Sequence, residues 1–184
     1  MGKLEPGVVH GRFQILHFGH LDYILAAKEK CDFLIVGIAN PDPSMGPPPT
    51  DTHRAAANAN PLTFYERMMM ITEVLVGQNI PREEFAIVPF PIDRPELIQH
   101  YVPRTATFFL TIFDEWGEEK KRRLEALGLA TSVLNRASEP KVHNASLIRK
   151  LIRDGEPWEQ SVPAETAEFL KRHAIDRRIA NVAP

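Results

Sequence analysis

The chain has 184 residues, 43% of them hydrophobic and 25% charged, a composition typical of one globular domain with a sizeable core. Its 22 basic and 24 acidic residues give a formal net charge of −2, which argues against a broad nucleic-acid-binding surface but permits a local anion site. The apolar runs are too short to span a bilayer, no signal-peptide pattern is visible, and a single cysteine, Cys31, excludes an intramolecular disulfide. We therefore expect a cytoplasmic protein without nucleic-acid or membrane partners.

Short apolar segments alternate with amphipathic segments along the chain. The predicted strands are residues 6–13, 31–39, 84–91, 106–113 and 129–135. The predicted helices are residues 18–30, 63–79, 95–102, 115–128, 144–155 and 163–174. This order is typical of βαβ units with right-handed crossovers. It predicts an α/β fold in one domain, residues 1–184: a Rossmann-like, doubly wound parallel sheet of about five strands, with C-terminal helices.

Residues 40–61, NPDPSMGPPPTDTHRAAANANP, interrupt this alternation with a stretch rich in proline, alanine and asparagine. Loops of this length without secondary structure are uncommon, and they are usually lids or disordered insertions. The segment follows a predicted strand and contains His53 and Arg54. Because ligands bind beyond the carboxyl ends of parallel strands, we interpret it as a lid-like loop beside the site.

The decapeptide GRFQILHFGH, residues 11–20, lies between the first predicted strand and the first predicted helix. The N–H groups and the positive dipole end of a helix N-terminus suit a phosphate group. His20 falls in the first helical turn and His17 just before it, so both side chains can face one anionic pocket. Gly19 has no Cβ, which permits close approach of a ligand, and Arg12 adds a permanent positive charge. We predict a phosphate site here rather than a turn that contains histidines by chance.

The decapeptide resembles the signature GRFQPxHxGH of the HxGH nucleotidylyltransferase superfamily, and three later segments resemble family motifs in order. Residues 60–70, NPLTFYERMMM, are similar to NPFTAGERxxM. Residues 143–149, HNASLIR, are similar to [IS]-S-[GS]-T-x-[IV]-R. Residues 149–163, RKLIRDGEPWEQSVP, resemble RRRMLEGEDWRSLVP of archaeal-type nicotinamide-nucleotide adenylyltransferases. The resemblance spans nearly the whole chain and implies the same Rossmann-like sheet that the alternation predicts.

The resemblance implies nucleotidylyl transfer, in which a phosphate monoester attacks the α-phosphorus of a nucleoside triphosphate and pyrophosphate leaves. Because no covalent enzyme intermediate forms, catalysis consists of positioning the substrates and stabilising developing negative charge. Mg²⁺ is expected with the triphosphate, held mainly by phosphates and water, and no carboxylate cluster predicts a permanent metal site. The implied partners are the triphosphate and a small phosphate-bearing acceptor.

The resemblance also implies roles for individual residues. His17 and His20 are expected to contact the α- and β-phosphates, and Arg149 is the third predicted catalytic residue. The predicted nucleotide-binding residues are Gly11, Arg12, Phe13, Gln14, Gly19, Arg54, Arg67 and Ser146. Ser146 and Arg149 are expected to hold the β- and γ-phosphates at a helix start, and Arg54 to reach the triphosphate from the loop.

The chain departs from the family pattern in three places. Ile15 replaces the proline of GRFQP, and residues 144–146 read NAS where the family has SGT, which keeps a hydroxyl. On the acceptor side, residues 92–101, IDRPELIQHY, lack the tryptophan that archaeal-type enzymes use for nicotinamide stacking. Residues 111–117, TIFDEWG, also differ, and whether Trp116 stacks on the acceptor or lies on a helix surface is open.

We predict an adenylyltransferase close to the nicotinamide- or nicotinate-mononucleotide type, which uses ATP in NAD biosynthesis. The departures keep open a cytidylyl- or adenylyltransferase acting on another phosphate or phosphonate acceptor, although the RTEGIST pattern of many cytidylyltransferases is absent. A non-catalytic nucleotide sensor is a third reading, which the intact pair His17 and His20 disfavours. The sequence leaves open the acceptor, the role of His143, and the choice between a monomer and a homo-oligomer.

Overall fold

The computed structural model describes residues 6–40, 59–113, 115–136 and 144–181. The strands in these residues are β1 Gly7–Gly11, β2 Leu34–Ala39, β3 Phe85–Phe90, β4 Thr107–Ile112 and β5 Ala130–Arg136. The α-helices are α1 Phe18–Lys28, α2 Phe64–Gly77, α3 Glu115–Ala126, α4 Ala145–Asp154, α5 Ala164–Arg172 and α6 Ile175–Ala180. Short 3₁₀ helices are Arg82–Glu84, Pro95–His100 and Glu159–Ser161.

The predicted Rossmann-like α/β fold is confirmed, with differences at the ends of elements. β1 stops two residues earlier than predicted, because Phe13 has a left-handed φ of 50° that interrupts an extended chain. The predicted helix at residues 95–102 is a 3₁₀ helix, a form common in short connecting segments. The last predicted helix ends at Arg172, because Ala174 adopts a φ of 53°, and α6 begins directly after it.

The sheet has the strand order β3-β2-β1-β4-β5, and every neighbouring pair is parallel. β1 pairs with β2 along its whole length, from Gly7 to Gly11. Its pairing with β4 covers only Gly7 and Val8, so β1 and β4 separate toward their carboxyl ends. The strand order reverses between these two strands, and such a switch point is where open α/β sheets bind their ligands. The fold therefore places a crevice beside the decapeptide of residues 11–20.

The side chain of Tyr23, on α1, spans the gap between β1 and β4. Its hydroxyl donates to the carbonyl oxygen of Phe109 over 2.5 Å, and it accepts from the backbone N–H of His10 over 3.4 Å. Burial raises the pKa of this hydroxyl far above its usual value, so it stays protonated. The Tyr23 hydroxyl thus supplies a hydrogen-bond partner to one backbone group on each strand, where the separating strands cannot bond to each other directly.

Apolar clusters cover both faces of the sheet. On one face, Val9 belongs to a large cluster that includes residues of α1, α2, α4 and the C-terminal helices. On the other face, Val8 belongs to a cluster with Phe90, Phe108 and Leu124 of α3. Successive residues of β1 therefore point to opposite faces, as in any strand. None of the described helices is long and apolar enough to cross a membrane.

His10 is a polar residue on the same face as Val8. Its ring stacks on Phe90 of β3, with 4.6 Å between ring centroids. Gly37 of β2, the register partner of His10, makes room for Phe90, because a Cβ there would lie 2.7 Å from that ring. Both ring nitrogens of His10 are buried, and neither has a hydrogen-bond partner among the described residues. Burial, and secondarily the charge of Lys120, lower the pKa of His10 to about 3, so the imidazole is neutral at pH 7.

Tyr23→Phe is expected to lower the free energy of unfolding by about 1–3 kcal/mol, because it leaves a buried N–H and a buried carbonyl without their partner. Urea denaturation measures the change. Tyr65→Phe is the matched control, because Tyr65 is 64% exposed, and it should change the stability by less than about 0.5 kcal/mol. Equal stabilities of Tyr23→Phe and the unsubstituted protein would contradict the bridging role.

The buried His10 predicts a loss of stability in mild acid. Its folded pKa of about 3 lies below its ordinary value of 6.5, so between these values only the unfolded chain takes up the proton. At pH 5 this uptake should favour unfolding by about 2 kcal/mol relative to neutral pH. His10→Val should therefore lose less stability than the unsubstituted protein between pH 7 and pH 5, measured by urea denaturation at both values. Parallel losses in the two proteins would show that His10 is not the responsible group.

Candidate active site

The first helix begins at the predicted histidine pair. His17 is the N-cap residue of α1, with an extended φ of −130°, and its Nδ1 accepts from the backbone N–H of His20 over 3.3 Å. The same N–H lies 2.8 Å from the carbonyl oxygen of His17. Because Nδ1 is an acceptor, a neutral His17 carries its proton on Nε2. Capping of the helix therefore selects the tautomer in which the second nitrogen is a hydrogen-bond donor.

The imidazole rings of His17 and His20 stack, with centroids 3.8 Å apart and planes inclined by 19°. Phe13 meets the ring of His20 edge-on at 5.0 Å and is fully buried. A Cβ on Gly11 would lie 3.0 Å from the Phe13 ring, so a glycine there keeps the ring in place. The structure thus brings the two predicted catalytic histidines together, and the predicted binding residues Gly11 and Phe13 support them.

Gln14 fastens the loop after β1 to the segment that precedes α2. Its Nε2 donates to the carbonyl oxygen of Leu62 over 2.9 Å, and its Oε1 accepts from the Leu62 N–H over 2.9 Å. The side chain is buried, and both ends of its amide are occupied by this contact. The amide of Gln14, a residue predicted to line the nucleotide pocket, thus positions the backbone of Leu62 in this structure.

Arg67, on α2, is 2% exposed and donates to four backbone carbonyl oxygens. These oxygens belong to Arg12, Ala39, Asn40 and Thr63, at 3.0, 2.8, 2.8 and 3.2 Å. Burial, and secondarily the charge of Arg12, lower the pKa of Arg67 to about 10. Because four of the five guanidinium N–H groups bind backbone, Arg67 ties the carboxyl ends of β1 and β2 to the start of α2.

Arg149, on α4, reaches the loop after β1 from the C-terminal half of the chain. Its Nη1 donates to the carbonyl oxygen of Gln14 over 2.6 Å, and its Nη2 donates to Oγ of Ser146 over 3.1 Å. Asn144 caps the helix, its Oδ1 accepting from the N–H of Leu147 over 2.9 Å. Arg149 is 4% exposed, whereas Ser146 is exposed. Since these contacts within the described residues use two of the five guanidinium N–H groups of Arg149, it retains donors for an anion.

The site concentrates positive charge around the end of β1. Burial, and secondarily Arg12 and Arg153, lower the pKa of Arg149 to about 10, so Arg12 acts electrostatically on both Arg67 and Arg149. Among the described residues, every hydrogen bond from Arg67 and Arg149 goes to a neutral carbonyl or hydroxyl oxygen. Buried cations without a carboxylate partner favour the binding of an anion. With the imidazole pair, this arrangement suits a polyphosphate.

Some predicted site residues are not placed by the structure. Arg54, with most of the predicted lid-like loop, lies outside the described residues, as does the side chain of Trp116. Gly19 is exposed in the first turn of α1. Sequence reasoning missed Tyr23, whose hydroxyl bridges β1 and β4, and His10, whose ring lies on the opposite face of β1 against Phe90. For His10, a signal was present: it is a histidine inside an otherwise apolar strand pattern.

Known proteins resemble the chain over nearly its whole length. It is 45% identical over 174 residues to a phosphonoformate cytidylyltransferase of Streptomyces viridochromogenes, covering 94% of each chain. It is 31% identical over 180 residues to a nicotinamide-nucleotide adenylyltransferase of Methanocorpusculum labreanum, covering 95% of each chain. The corresponding enzyme of Thermococcus kodakarensis is 26% identical over 181 residues, which cover 98% of this chain and 89% of that one.

A solved structure shares the fold. The crystal structure of a bifunctional NMN adenylyltransferase/ADP ribose pyrophosphatase from Francisella tularensis superposes with a TM-score of 0.67. The superposition covers 96% of this chain and 52% of that chain. Because the two are 18% identical, this likeness concerns the fold alone.

The model of the cytidylyltransferase-like family matches residues 8–126. That range runs from β1 to the end of α3 and contains the stacked histidines and Arg67. This family match, and the relatives that align over nearly the whole chain, confirm the resemblance that the motifs predicted. The chain therefore belongs to the cytidylyltransferase-like family and is a nucleotidylyltransferase.

Proposed function

We propose that this enzyme transfers the cytidylyl group of CTP to a small phosphonate, of the class that phosphonoformate represents. The observation that carries the proposal is the 45% identity to the Streptomyces phosphonoformate cytidylyltransferase over 94% of both chains. The nicotinamide-nucleotide adenylyltransferases, at 26% and 31%, are more distant. The lack of tryptophan in residues 92–101 also supports an acceptor without a nicotinamide ring.

Adenylyl transfer from ATP to nicotinamide mononucleotide, the predicted step of NAD biosynthesis, is the second candidate. Residues 149–163 favour it, because they resemble the archaeal-type segment in the same order. Trp158 in that segment is buried in the core that packs the C-terminal helices, which agrees with a shared structural role. Such a role is compatible with either acceptor, so this observation ranks below the overall identity.

In the proposed reaction, a phosphonate oxygen of the acceptor attacks the α-phosphorus of CTP. The bond from that phosphorus to the bridging oxygen breaks, and pyrophosphate leaves with the electron pair. His17 would donate from Nε2 to a phosphate oxygen, and His20 would bind beside it. Arg149 and Ser146 would hold the pyrophosphate end at the start of α4. These contacts accelerate the reaction to the extent that they strengthen as charge develops in the transition state.

Mg²⁺ is proposed to enter with the triphosphate. The groups placed around the end of β1 are imidazoles, guanidiniums and a hydroxyl, which suit phosphate oxygens better than they suit Mg²⁺. This ion usually keeps several waters and binds substrate phosphates. Phosphate oxygens and water would therefore hold it, and its chemistry would be to offset triphosphate charge.

The proposed location is the reducing cytoplasm, which the single cysteine supports. Cys31 is buried, and burial raises the pKa of its thiol, so it is suited to remain a protonated, unreactive core residue. Light scattering of the purified protein would measure whether copies associate into a homo-oligomer.

The proposed function is tested by pyrophosphate release with Mg²⁺ and each of four substrate pairs: CTP or ATP with phosphonoformate or nicotinamide mononucleotide. We expect turnover with CTP and phosphonoformate, and a cytidylyl product visible by ³¹P NMR. Turnover with ATP and nicotinamide mononucleotide alone would establish the second candidate. Binding of a triphosphate without turnover of any acceptor would favour the sensor reading.

His17→Asn separates helix capping from catalysis. Asparagine is a good N-cap, so the stability of the protein should stay within about 0.5 kcal/mol, whereas loss of the Nε2 donor should lower kcat by about 10²–10³. Steady-state kinetics and calorimetric binding of CTP measure the two effects, and the Kd for CTP should change by less than tenfold. His173→Asn, a change at an exposed histidine in the C-terminal region, is the control and should leave kcat unchanged. Normal turnover by His17→Asn would rule out the catalytic role.

A further inference from the structure

β1 carries a polar side chain that no step above uses, that of His10, whose ring lies over β2 against Phe90 of β3. Both of its ring nitrogens are shielded from solvent, without a hydrogen-bond partner among the described residues. Buried polar atoms without partners destabilise a protein and are rare in native structures. An apolar side chain could occupy the same place, between Val8 and the Phe90 ring, without that penalty. Packing alone therefore does not explain an imidazole at this place.

His10 and the phosphate-binding groups lie on opposite faces of the sheet. α1 and α4, which carry His17 and Arg149, pack on the face of Val9. His10 follows Val9 in the strand, stacks on Phe90, and so belongs to the other face. Displacement at phosphorus places the attacking and leaving oxygens roughly in line. Because the pyrophosphate would leave on the side of α1 and α4, the acceptor would approach from the side of His10.

The surroundings of His10 suit a small anionic group. Phe90 covers one side of the imidazole, and the fully buried ring of Phe108 lies 6.2 Å from that of Phe90. Lys120 of α3 is close enough for its positive charge to disfavour protonation of His10. The neutral imidazole offers one N–H donor and one acceptor nitrogen, and the nearby ammonium attracts negative charge. An apolar wall, one imidazole donor and a nearby cation are together groups that suit one small, charged substituent.

We propose that His10 is a specificity-determining residue of the acceptor site, where its imidazole donates a hydrogen bond to an anionic oxygen of the bound acceptor. The proposal rests on the proposed function, because it needs an acceptor with a second anionic group besides the attacking phosphonate, as in the carboxylate of phosphonoformate. The bound acceptor then supplies the hydrogen-bond partner that His10 lacks within the described chain.

His10→Val tests the proposal, because valine removes both ring nitrogens and is an apolar, β-branched residue suited to a strand. Pyrophosphate release is measured with varied phosphonoformate at saturating CTP, and with varied CTP at saturating phosphonoformate. The KM for phosphonoformate should rise about 10-fold to 100-fold, the typical effect of losing one hydrogen bond to a charged group. The KM for CTP should change by less than about twofold, and the thermal midpoint at pH 7 should stay equal or rise.

His173→Val is the matched control. The ring of His173 also packs on a phenylalanine, Phe169, at 4.4 Å, but it is exposed and lies after α5. Neither KM should change in this variant. An unchanged KM for phosphonoformate in His10→Val would overturn the proposal. So would a lower thermal midpoint with equal rises in both KM values, because that result would assign His10 a structural role.

Failure of the proposed function would be distinguishable from failure of this inference. If the unsubstituted enzyme uses only ATP and nicotinamide mononucleotide, the cytidylyl assignment fails, and the same kinetics are run with that pair. A selective rise in the KM for nicotinamide mononucleotide in His10→Val would then support an acceptor role for His10, and an unchanged value would overturn it.

A second measurement covers a variant that does not fold or an enzyme that turns over neither pair. ¹⁵N-histidine-labelled protein, saturated with the non-reactive analogue α,β-methylene-CTP, is titrated with phosphonoformate. The His10 imidazole resonances, assigned by comparison with His10→Asn, should shift with saturation. Resonances of His173 serve as the internal control and should stay in place. A titration that leaves the His10 resonances unmoved would overturn the proposal.

Discussion

One buried guanidinium, that of Arg67, holds together the three chain segments from which the site is built. It binds carbonyl oxygens at the ends of β1 and β2 and at the N-cap of α2. A lysine could not replace it, because an ammonium lacks the planar fork that reaches several acceptors in fixed directions. The Arg12 carbonyl that it binds immediately precedes the left-handed Phe13, from which the chain turns toward His17. The position of the histidine pair therefore depends on a contact made from another helix.

The same contacts bury positive charge against neutral groups, which affects how the site binds an anion. Arg67 and Arg149 are buried against neutral oxygens, and the positive charge of Arg12 lowers the pKa of both guanidinium groups. Within the described residues, carbonyl dipoles are what offset this positive charge. A polyphosphate would offset it far better, so the unliganded site is less stable than the site with its anion. Binding sites commonly lower the stability of the unliganded protein in this way.

The alternation of β1 serves both sides of the proposed reaction. Val9 lies in the larger cluster and Gly11 lies against Phe13, whereas Val8 and His10 lie on the face of the second cluster. Tyr23 keeps the strand ends apart by pairing their backbone groups through its hydroxyl. Successive side chains of a strand point to opposite faces of the sheet. Two neighbouring residues of β1 could therefore contact two different substrates. In the proposed arrangement the phosphate chemistry and the choice of acceptor would lie on different faces of the sheet and could therefore change independently.

Much of this architecture was predictable because it depends on short-range patterns. The apolar and amphipathic periods identified the five strands and most helices, and the spacing of His17 and His20 placed both at a helix start. The family motifs carry the phosphate chemistry that all members share, so the class of reaction was predictable as well. The acceptor was not predictable in the same way, because the segments expected on the acceptor side depart from those motifs. The prediction of adenylyl transfer depends on the resemblance of residues 149–163 to the archaeal-type segment. Trp158 in that segment is buried in the core, and this packing role does not by itself specify a nucleotide.

The sequence by itself determined the order of the elements, the parallel sheet, and the histidine pair at the first strand–helix turn. These follow from local periodicity and from residue types that lie a few positions apart. Only the tertiary structure decided that the Gln14 amide is occupied by Leu62, that Arg67 binds four carbonyls, and that His10 is buried without a partner. Those outcomes depend on which strands are neighbours and where β1 and β4 separate. Contacts between residues about 50 positions apart leave no periodic signal in a single sequence, so the physical environment of each side chain becomes known only when the sheet is assembled.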